Sequence, residues 1–510
     1  MTVVVPRLVL ESMFGLLCVM ALAALDARLS ASARGESLPV PVRHAYSFEQ
    51  LSNNRYSVHA GFDDSLSAQV MANVLWAMSR APSAGSEHRE FYVATKDNVY
   101  RYDPSGSRLT LHRAGDHRYN SGSAFEVGVA ASRFEETGMA IQAGLLAGTA
   151  FNEQGRGTGG EGRVVSCPMQ WAADHAAVDW RPGHPIQMAA VFGRGASEPL
   201  DTVCVARSSD SSLPLPHVTG PDTFEAVIAD LNQDSLFSPV ELSQENVSQL
   251  CWAAYGVTPH LTYNHRQGLT VPSAMASYYL TDRIYVVGRY DVSRYYDRLL
   301  PDTNVASRDH RLERVAAGDY RPRLRAASAR IPGSAPTYFV VCVPDTASGP
   351  AMMEAGFAAF QLLAQARALG LAGFLVVPLS RAERREIAAA LELPAGHNPA
   401  LVFACGEAAT AVAGREADSS TVTVVRAQPA IRRGNLRVEY LLSRAGQVRV
   451  EVFDMLGRPV KLLLNEQQSS GYHAAVWDGT GEDGARLKRG TYLVVIISGG
   501  TVAKHKVNLG

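Results

Sequence analysis

The chain has 510 residues, 48 lysines and arginines against 49 acids, and 46% apolar residues, enough for about three domains of ~150 residues each. Its basic residues are scattered with no basic run, which excludes nucleic acid as the expected partner. The cysteines show no C-x-x-C spacing, so neither a zinc site nor a disulfide framework is indicated, and no metal is expected.

The N-terminus reads as a targeting segment. Arg7 precedes an apolar run at 13–25, and Ala31-Ser32-Ala33 offers a small-residue cleavage site, so residues 1–33 are expected to be a secretory signal peptide. The run is shorter than the ~20 residues of a spanning helix, and no stable membrane span is expected after cleavage.

The first unit is expected over 47–205. Arg55 and Ser57 lie in a polar loop; Ser65 then caps a helix whose apolar face is Val70, Val74, Leu75 and Met78, with Trp76 turned inward. The turn Pro82-Ser83-Ala84 leads into a strand at 91–94 that forms a hairpin with 99–104. A small-residue helix at 135–147 and a strand at 186–192, ending in Gly193-Arg194-Gly195, complete it.

Residues 206–221, rich in serine and proline, read as a linker. The second unit, 222–410, opens with a short helix at 222–232. It carries an insertion at 260–268 and a charged stretch at 291–330, read either as a solvated insertion or as a lid. Residues 411–434 are expected to be a second linker. The remainder, 435–510, alternates with period two between turn signals, and six or so short strands are expected, at 437–441, 447–453, 460–464, 471–477, 490–496 and 501–507.

Four blocks of the first unit recur in order in the second. SLSAQVMANVLWA (65–77) answers ELSQENVSQLCWA (241–253), and RAPSAGSEHREFYVA (80–94) answers RQGLTVPSAMASYYLTDRIYVV (266–287). ETGMAIQAGLLA (136–147) answers EAGFAAFQLLAQARALGL (354–371), and GHPIQMAAVFG (183–193) answers GHNPALVFACG (396–406). Four matches in one order are hard to attribute to composition, and they read as an internal duplication.

Arg-x-Ser in an N-terminal loop, a helix ending in Leu-Trp-Ala, Ala-Pro-Ser-Ala-Gly before a strand, and a final strand ending in Gly together resemble the nitroreductase-like flavoproteins. SQLCWAAYGVT, TVPSA and LGLAG of the second unit are most similar to the branch containing the thiazole- and oxazole-forming peptide oxidases. The resemblance implies α+β units that pair as dimers with FMN at the interface. A tandem copy then implies an internal pseudo-dimer of two nitroreductase-like units, followed by an all-β C-terminal module. Arg55, Ser57 and Arg194 stand at positions resembling the family's phosphate ligands, and fixed positive charge suits that role. The second unit lacks such residues, so one composite FMN site is expected, with Pro272, Ser273 and Ala274 along the flavin ring. No catalytic residue is assigned, since the cofactor carries the chemistry.

Each of these residues also has a plainer reading. Arg55 alone is a solvated loop residue, Ser83 and Ser273 shape turns, His184 and His397 are loop histidines, and Tyr278 and Tyr279 are core aromatics. Cys167, Cys204, Cys251, Cys342 and Cys405 read mostly as buried, inert thiols. FDMLGRPV and LKRGTYLVVI resemble immunoglobulin-like domains of the flagellar-hook-cap type and the sorting domains of the type IX secretion system. Behind a signal segment, that resemblance implies export through the periplasm to the surface or medium, with the type IX machinery as a partner. Two functions remain open: an exported FMN oxidoreductase acting on a small molecule or a peptide, or a cofactor-free scaffold that binds partners.

Overall fold

The computed structural model describes residues 36–509 apart from 58–61, 64–65, 86–87, 156–163, 170–171, 196–199, 202–204, 207–211, 262–266, 274–276, 301–306, 410–421, 430–435, 443–445, 455–457, 469–470 and 499–500. The expected signal segment, Ser65 and Ala274 lie outside the described residues, as do the side chains of Cys167 and Cys204. The chain divides into two units, Met1–Ala409 and Thr410–Gly510.

In the first unit, strands β1 (Glu36–Ser37), β2 (Phe62–Asp63), β3 (Arg89–Thr95), β4 (Asn98–Asp103), β5 (Arg108–Ala114), β6 (Phe125–Ala131), β7 (Val164–Met169) and β8 (Ile186–Gly195) form one sheet. Their order is β1-β5-β4-β3-β6-β8-β2, with β7 also on β8. A small sheet joins β9 (Leu200–Asp201), β11 (Val257–Leu261) and β12 (Gln267–Leu269). The second large sheet contains β10 (Val205–Ala206), β13 (Ile284–Val287), β14 (Asp291–Leu300), β15 (Ser307–Ala317), β16 (Thr337–Val343), β17 (Ala372–Val376) and β18 (Asn398–Gly406). Its order, β10-β15-β14-β13-β16-β18-β17, places a meander beside a central pair just as β5-β4-β3-β6-β8 does in the first.

Nine helices accompany these sheets among the described residues: α1 (Phe48–Asn54), α2 (Ala68–Arg80), α3 (Phe134–Gly155), α4 (Ala172–Asp179), α5 (Phe224–Ala229), α6 (Gln244–Tyr255), α7 (Arg321–Ala326), α8 (Gly349–Ala368) and α9 (Arg381–Ala390). Strand alternation sorts side chains into layers. Phe91 and Val93 of β3, and Ile284 and Val286 of β13, join one central core with Val74, Met78, Leu146, Phe357, Phe360 and Leu363 of the helices. Tyr92 and Ala94 point to the opposite face, where Trp180 after α4 and Ala176 on it cover them. Tyr285 and Val287 pack on the outer face of their own sheet with Ile387 of α9 and Leu324 of α7. A single apolar core therefore runs between the two sheets, with α3 and α8 inside it.

The small residues of α3 and α8 are explained by their crossing. A Cβ on Gly138 would lie 2.2 Å from the Met353 carbonyl oxygen, and one on Gly356 would lie 2.2 Å from that of Glu135. Only glycine permits this approach on both helices. The N-caps of α1 and α5, Ser47 and Thr223, also bridge each other.

Trp76 is partly buried and packs against the central core, with the Arg80 guanidinium 5.0 Å from its ring centroid. Two expectations need correction. In α2, Ser67 stands at the N-cap position and makes no side-chain cap bond. The charged stretch is neither lid nor loose insertion over its described part: it supplies β14, β15 and α7. Opposite charges face each other in that hairpin, Arg294 against Glu313 at 2.8 Å and Arg298 in register with Asp309, and such pairs let a charged sequence run as strands.

In the second unit, β19 (Val422–Pro429), β20 (Leu436–Leu442) and β23 (Gly471–Trp477) form one sheet, and β21 (Gly446–Phe453), β22 (Pro459–Gln468), β24 (Gly490–Ser498) and β25 (Thr501–Leu509) form another in the order β22-β21-β24-β25. Residues 422–429, expected within a linker, instead pair with β20. The VTVV run there is β-branched and suits a pleated ladder. Trp477, Val448, Val450, Val452, Val494 and Ile496 form the core. Two bonds join Asp454 and Arg458, one from the Asp454 N–H to the Arg458 carbonyl and one from the Arg458 N–H to the Asp454 carboxylate, each 2.9 Å.

Candidate functional site

Arg55 caps the C-terminus of α1, which begins with a capping box between Ser47 and Gln50. Its side chain is buried, at 4% exposure. Nε donates to the Thr270 carbonyl at 3.3 Å, one terminal nitrogen donates to the Leu269 carbonyl at 2.8 Å, and the other donates to Ser57 Oγ at 3.2 Å. Gln142 of α3 and Gln361 of α8 donate to the same Thr270 oxygen, at 3.1 and 3.0 Å. Ser52 Oγ donates to Gln361 Oε1 at 3.3 Å. Thr270 is fixed further by its own hydroxyl, which donates to the Trp252 carbonyl at 3.1 Å. The segment that leads into Pro272 is thus held by groups from α1, α3 and α8.

Both Pro-Ser turns are gripped by a carboxylate from a central helix. Glu136 accepts from the Ala84 N–H at 3.1 Å and from Ser83 Oγ at 3.5 Å, with Arg89 3.5 Å away. Glu354 accepts from Ser273 Oγ at 3.4 Å, from the Leu280 N–H at 3.2 Å and from the Tyr255 hydroxyl at 2.5 Å. Burial, with Glu354 beside it, holds the Tyr255 phenol well above its ordinary range. Ser273 Oγ also accepts from the Tyr278 N–H at 2.7 Å, so it shapes the turn.

The structure brings Arg55 and Ser57 together, next to the segment entering Pro272, which is buried, and Ser273. Arg55 faces protein carbonyls and is not a solvated loop residue. Arg194 lies near the end of β8, in register with Asp63 of β2 and Val164 of β7. Its Nε is buried and, among the described residues, has no hydrogen-bond partner. Ala274 lies outside the described residues. His397 Nδ1 and the Tyr285 hydroxyl are 2.7 Å apart, and His184 stacks on His88 at 3.9 Å, so both histidines serve as loop and strand contacts. Cys251, Cys342 and Cys405 are free and buried, and burial raises each thiol pKa.

The sequence reading missed Gln142, Gln361, Glu136, Glu354 and Tyr255. A signal existed for the first four, because a polar residue in an otherwise apolar, small-residue helix must meet a partner inside the core. The partners themselves, distant in sequence, were not readable.

Comparison with known proteins places two families on the chain. The sequence profile of the nitroreductase family matches residues 236–407. That of the FlgD Ig-like domain matches residues 430–499. No curated protein matches. Among solved structures, the chain is similar to one described as a nitroreductase from Anabaena variabilis, with 10% identity over 70% of this chain and 93% of that one, at a TM-score of 0.47. It is similar to an FMN-dependent nitroreductase from Clostridium difficile, with 13% identity over 37% and 88% of the two chains and a TM-score of 0.23. FlgD from P. aeruginosa is similar at 23% identity over 18% and 67%, with a TM-score of 0.14. The chain therefore carries a nitroreductase family domain and, after it, a FlgD Ig-like domain.

Proposed function

We propose that residues 36–409 are a fused pair of nitroreductase-like halves and act as an oxidoreductase with one FMN site built from both. The observation that carries this reading is the meeting of Arg55 and Ser57 from the first half with residues 269–270, which lead into the Pro272-Ser273 turn of the second. The matching strand orders of the two sheets support the fusion. Arg194 supports the phosphate end, because its buried Nε lacks a partner and a phosphate oxygen would supply one.

Bound there, FMN would supply hydride transfer. Arg194 and Ser57 would hold its phosphate; Ser57 Oγ accepts from Arg55, which leaves the hydroxyl proton free to be donated. Arg55 is a positioning residue that fixes residues 269–270, and through them the turn. Glu354 sets the turn from beneath through Ser273. The substrate is a small molecule or a peptide, in keeping with the resemblance to the thiazole and oxazole peptide oxidases. The chain is exported, and residues 435–510 act as its sorting signal for the type IX machinery; deletion of those residues would leave it in the periplasm.

A second reading, a cofactor-free binding scaffold, is favoured by one observation: every nitrogen of the Arg55 guanidinium already donates to protein. Absorbance after FMN addition and desalting separates the two. About one equivalent retained, and lost in Arg194→Ala, is the outcome expected of the oxidoreductase; no retention by the unaltered chain would leave the scaffold.

A further inference from the structure

Ser248 of α6, Asp297 of β14 and His310 of β15 meet inside the chain. Ser248 Oγ lies 2.7 Å from His310 Nε2, and His310 Nδ1 lies 3.4 Å from Asp297 Oδ2. Serine, histidine and aspartate in that order suggest a nucleophile, but the bonds around them exclude one. The Ser248 hydroxyl donates its single proton to the Pro214 carbonyl at 2.5 Å, so the imidazole donates to the serine and cannot take that proton. Ser248 and His310 are buried, and the Asp297 side chain is fully so. The cluster holds structure.

What it holds is the start of β11. Asp297 Oδ1 accepts from Arg308 Nε at 2.8 Å, and Oδ2 accepts from the other Arg308 nitrogen at 2.6 Å, from the Tyr295 hydroxyl at 3.0 Å and from the Val257 N–H at 2.9 Å. Arg308 and Tyr295 belong to the same hairpin as Asp297, whereas Val257 opens β11. Val257 stands in register with Leu269 of β12, and the carbonyl of Gly256, just before it, accepts from the Thr270 N–H at 2.9 Å. Leu269 and Thr270 are the residues whose carbonyls receive the Arg55 guanidinium. One buried carboxylate is therefore two hydrogen-bonded steps from the segment that enters Pro272.

The carboxylate is itself fixed from behind. His310 faces Asp297 across the hairpin, its Nδ1 is also 3.1 Å from the Tyr295 hydroxyl, and its carbonyl accepts from the Leu213 N–H at 2.9 Å. Ser248 then anchors the far side of the ring. We propose that Asp297 is a positioning residue for the cofactor turn: it holds Val257, so that β11 and β12 present the Leu269 and Thr270 carbonyls to Arg55, and His310 with Ser248 keeps the carboxylate in place. This role rests on the FMN site proposed above. A charged acceptor suits it, because an amide bonded to a carboxylate is held more firmly than one bonded to a carbonyl. The hairpin at 291–317 thus serves the site without touching it.

The test has two readouts on the full chain. The first needs no cofactor: hydrogen exchange of the Val257 and Thr270 amides should quicken by at least about tenfold in Asp297→Asn, and by a smaller factor in His310→Gln, while the amides of β16 keep the parent rate. Arg294→Ala, which breaks the Arg294–Glu313 pair of the same hairpin, should leave both amides unchanged. The second is FMN titration, in which Asp297→Asn should raise the dissociation constant by at least about tenfold and Arg294→Ala should not. Unchanged exchange at Val257 and Thr270, or faster exchange with unaltered FMN affinity, would overturn the positioning role. If Asp297→Asn does not fold, His310→Gln carries both readouts with the same signs. No FMN binding by the unaltered chain would overturn the cofactor reading instead, and exchange would still decide whether Asp297 holds β11.

Discussion

On α3, Glu136 takes the Ala84 N–H at 3.1 Å with the Arg89 guanidinium 3.5 Å away, whereas on α8, Glu354 takes a phenol at 2.5 Å and the Leu280 N–H at 3.2 Å. Glutamates at matching places on two central helices hold turns of the same sequence, one beside a cation and one beside hydroxyl and amide donors. The helices meet through Gly138 and Gly356, which sit at corresponding places and are approached by each other's backbone. The crossing of the two helices is therefore a matter of backbone packing, and the two glutamates differ in how their buried charge is balanced.

The largest effect is expected where neutral donors depend on one buried carboxylate. Glu354→Ala strips a partner from Tyr255, Ser273 and Leu280 in the interior and should cost about 3 kcal/mol in chemical denaturation. A loss under about 1 kcal/mol would mean that the turn relaxes onto other partners. Gly356→Ala should cost about 2 kcal/mol by pushing a methyl against the Glu135 carbonyl. Alanine ordinarily gains ~1 kcal/mol over glycine inside a helix, so a stabilised variant would show that the crossing is looser than described.

The hairpins of the two sheets offer a finer contrast. In the second, Asp297 has a fully buried side chain, 2.6 Å from Arg308 and 3.4 Å from His310. Burial alone would raise its pKa, but Arg308 and His310 outweigh that and hold it well below the usual carboxylate range. A depressed folded pKa stabilises the chain above the unfolded value, ~4, and the contribution is lost as pH falls through the folded value. Asp297→Asn should accordingly flatten the fall in stability below about pH 4; an unchanged acid limb would remove the pair from the account. In the first hairpin Arg101 is 56% exposed where it meets Glu90 at 2.5 Å, and Arg101→Ala should change stability by less than about 1 kcal/mol.

Much of this could be read from particular residues. Alternation at 91–94 and 284–287 marked strands whose two faces pack against different cores, and the small-residue runs marked the two central helices. The small residues gave no hint of the backbone crossing. The charged run at 291–330 misled because its charges are satisfied across a hairpin, a pairing that depends on register. Arg55 and Ser57 were legible as neighbours, since they are two residues apart. That the arginine would turn to carbonyls at 269 and 270 was not, because more than two hundred residues of chain separate them.

What the sequence alone determined was local: period, turns, capping residues and the order of the blocks, all set by interactions within a few residues. Tertiary structure decided where buried polar groups find partners. It gave the Thr270 carbonyl three donors, set one glutamate beside a guanidinium and another beside a phenol, and left Arg133, Arg194 and Arg384 with unmatched donors. Those outcomes depend on distances between segments far apart in the chain, and such distances exist only once the core between the two sheets has closed.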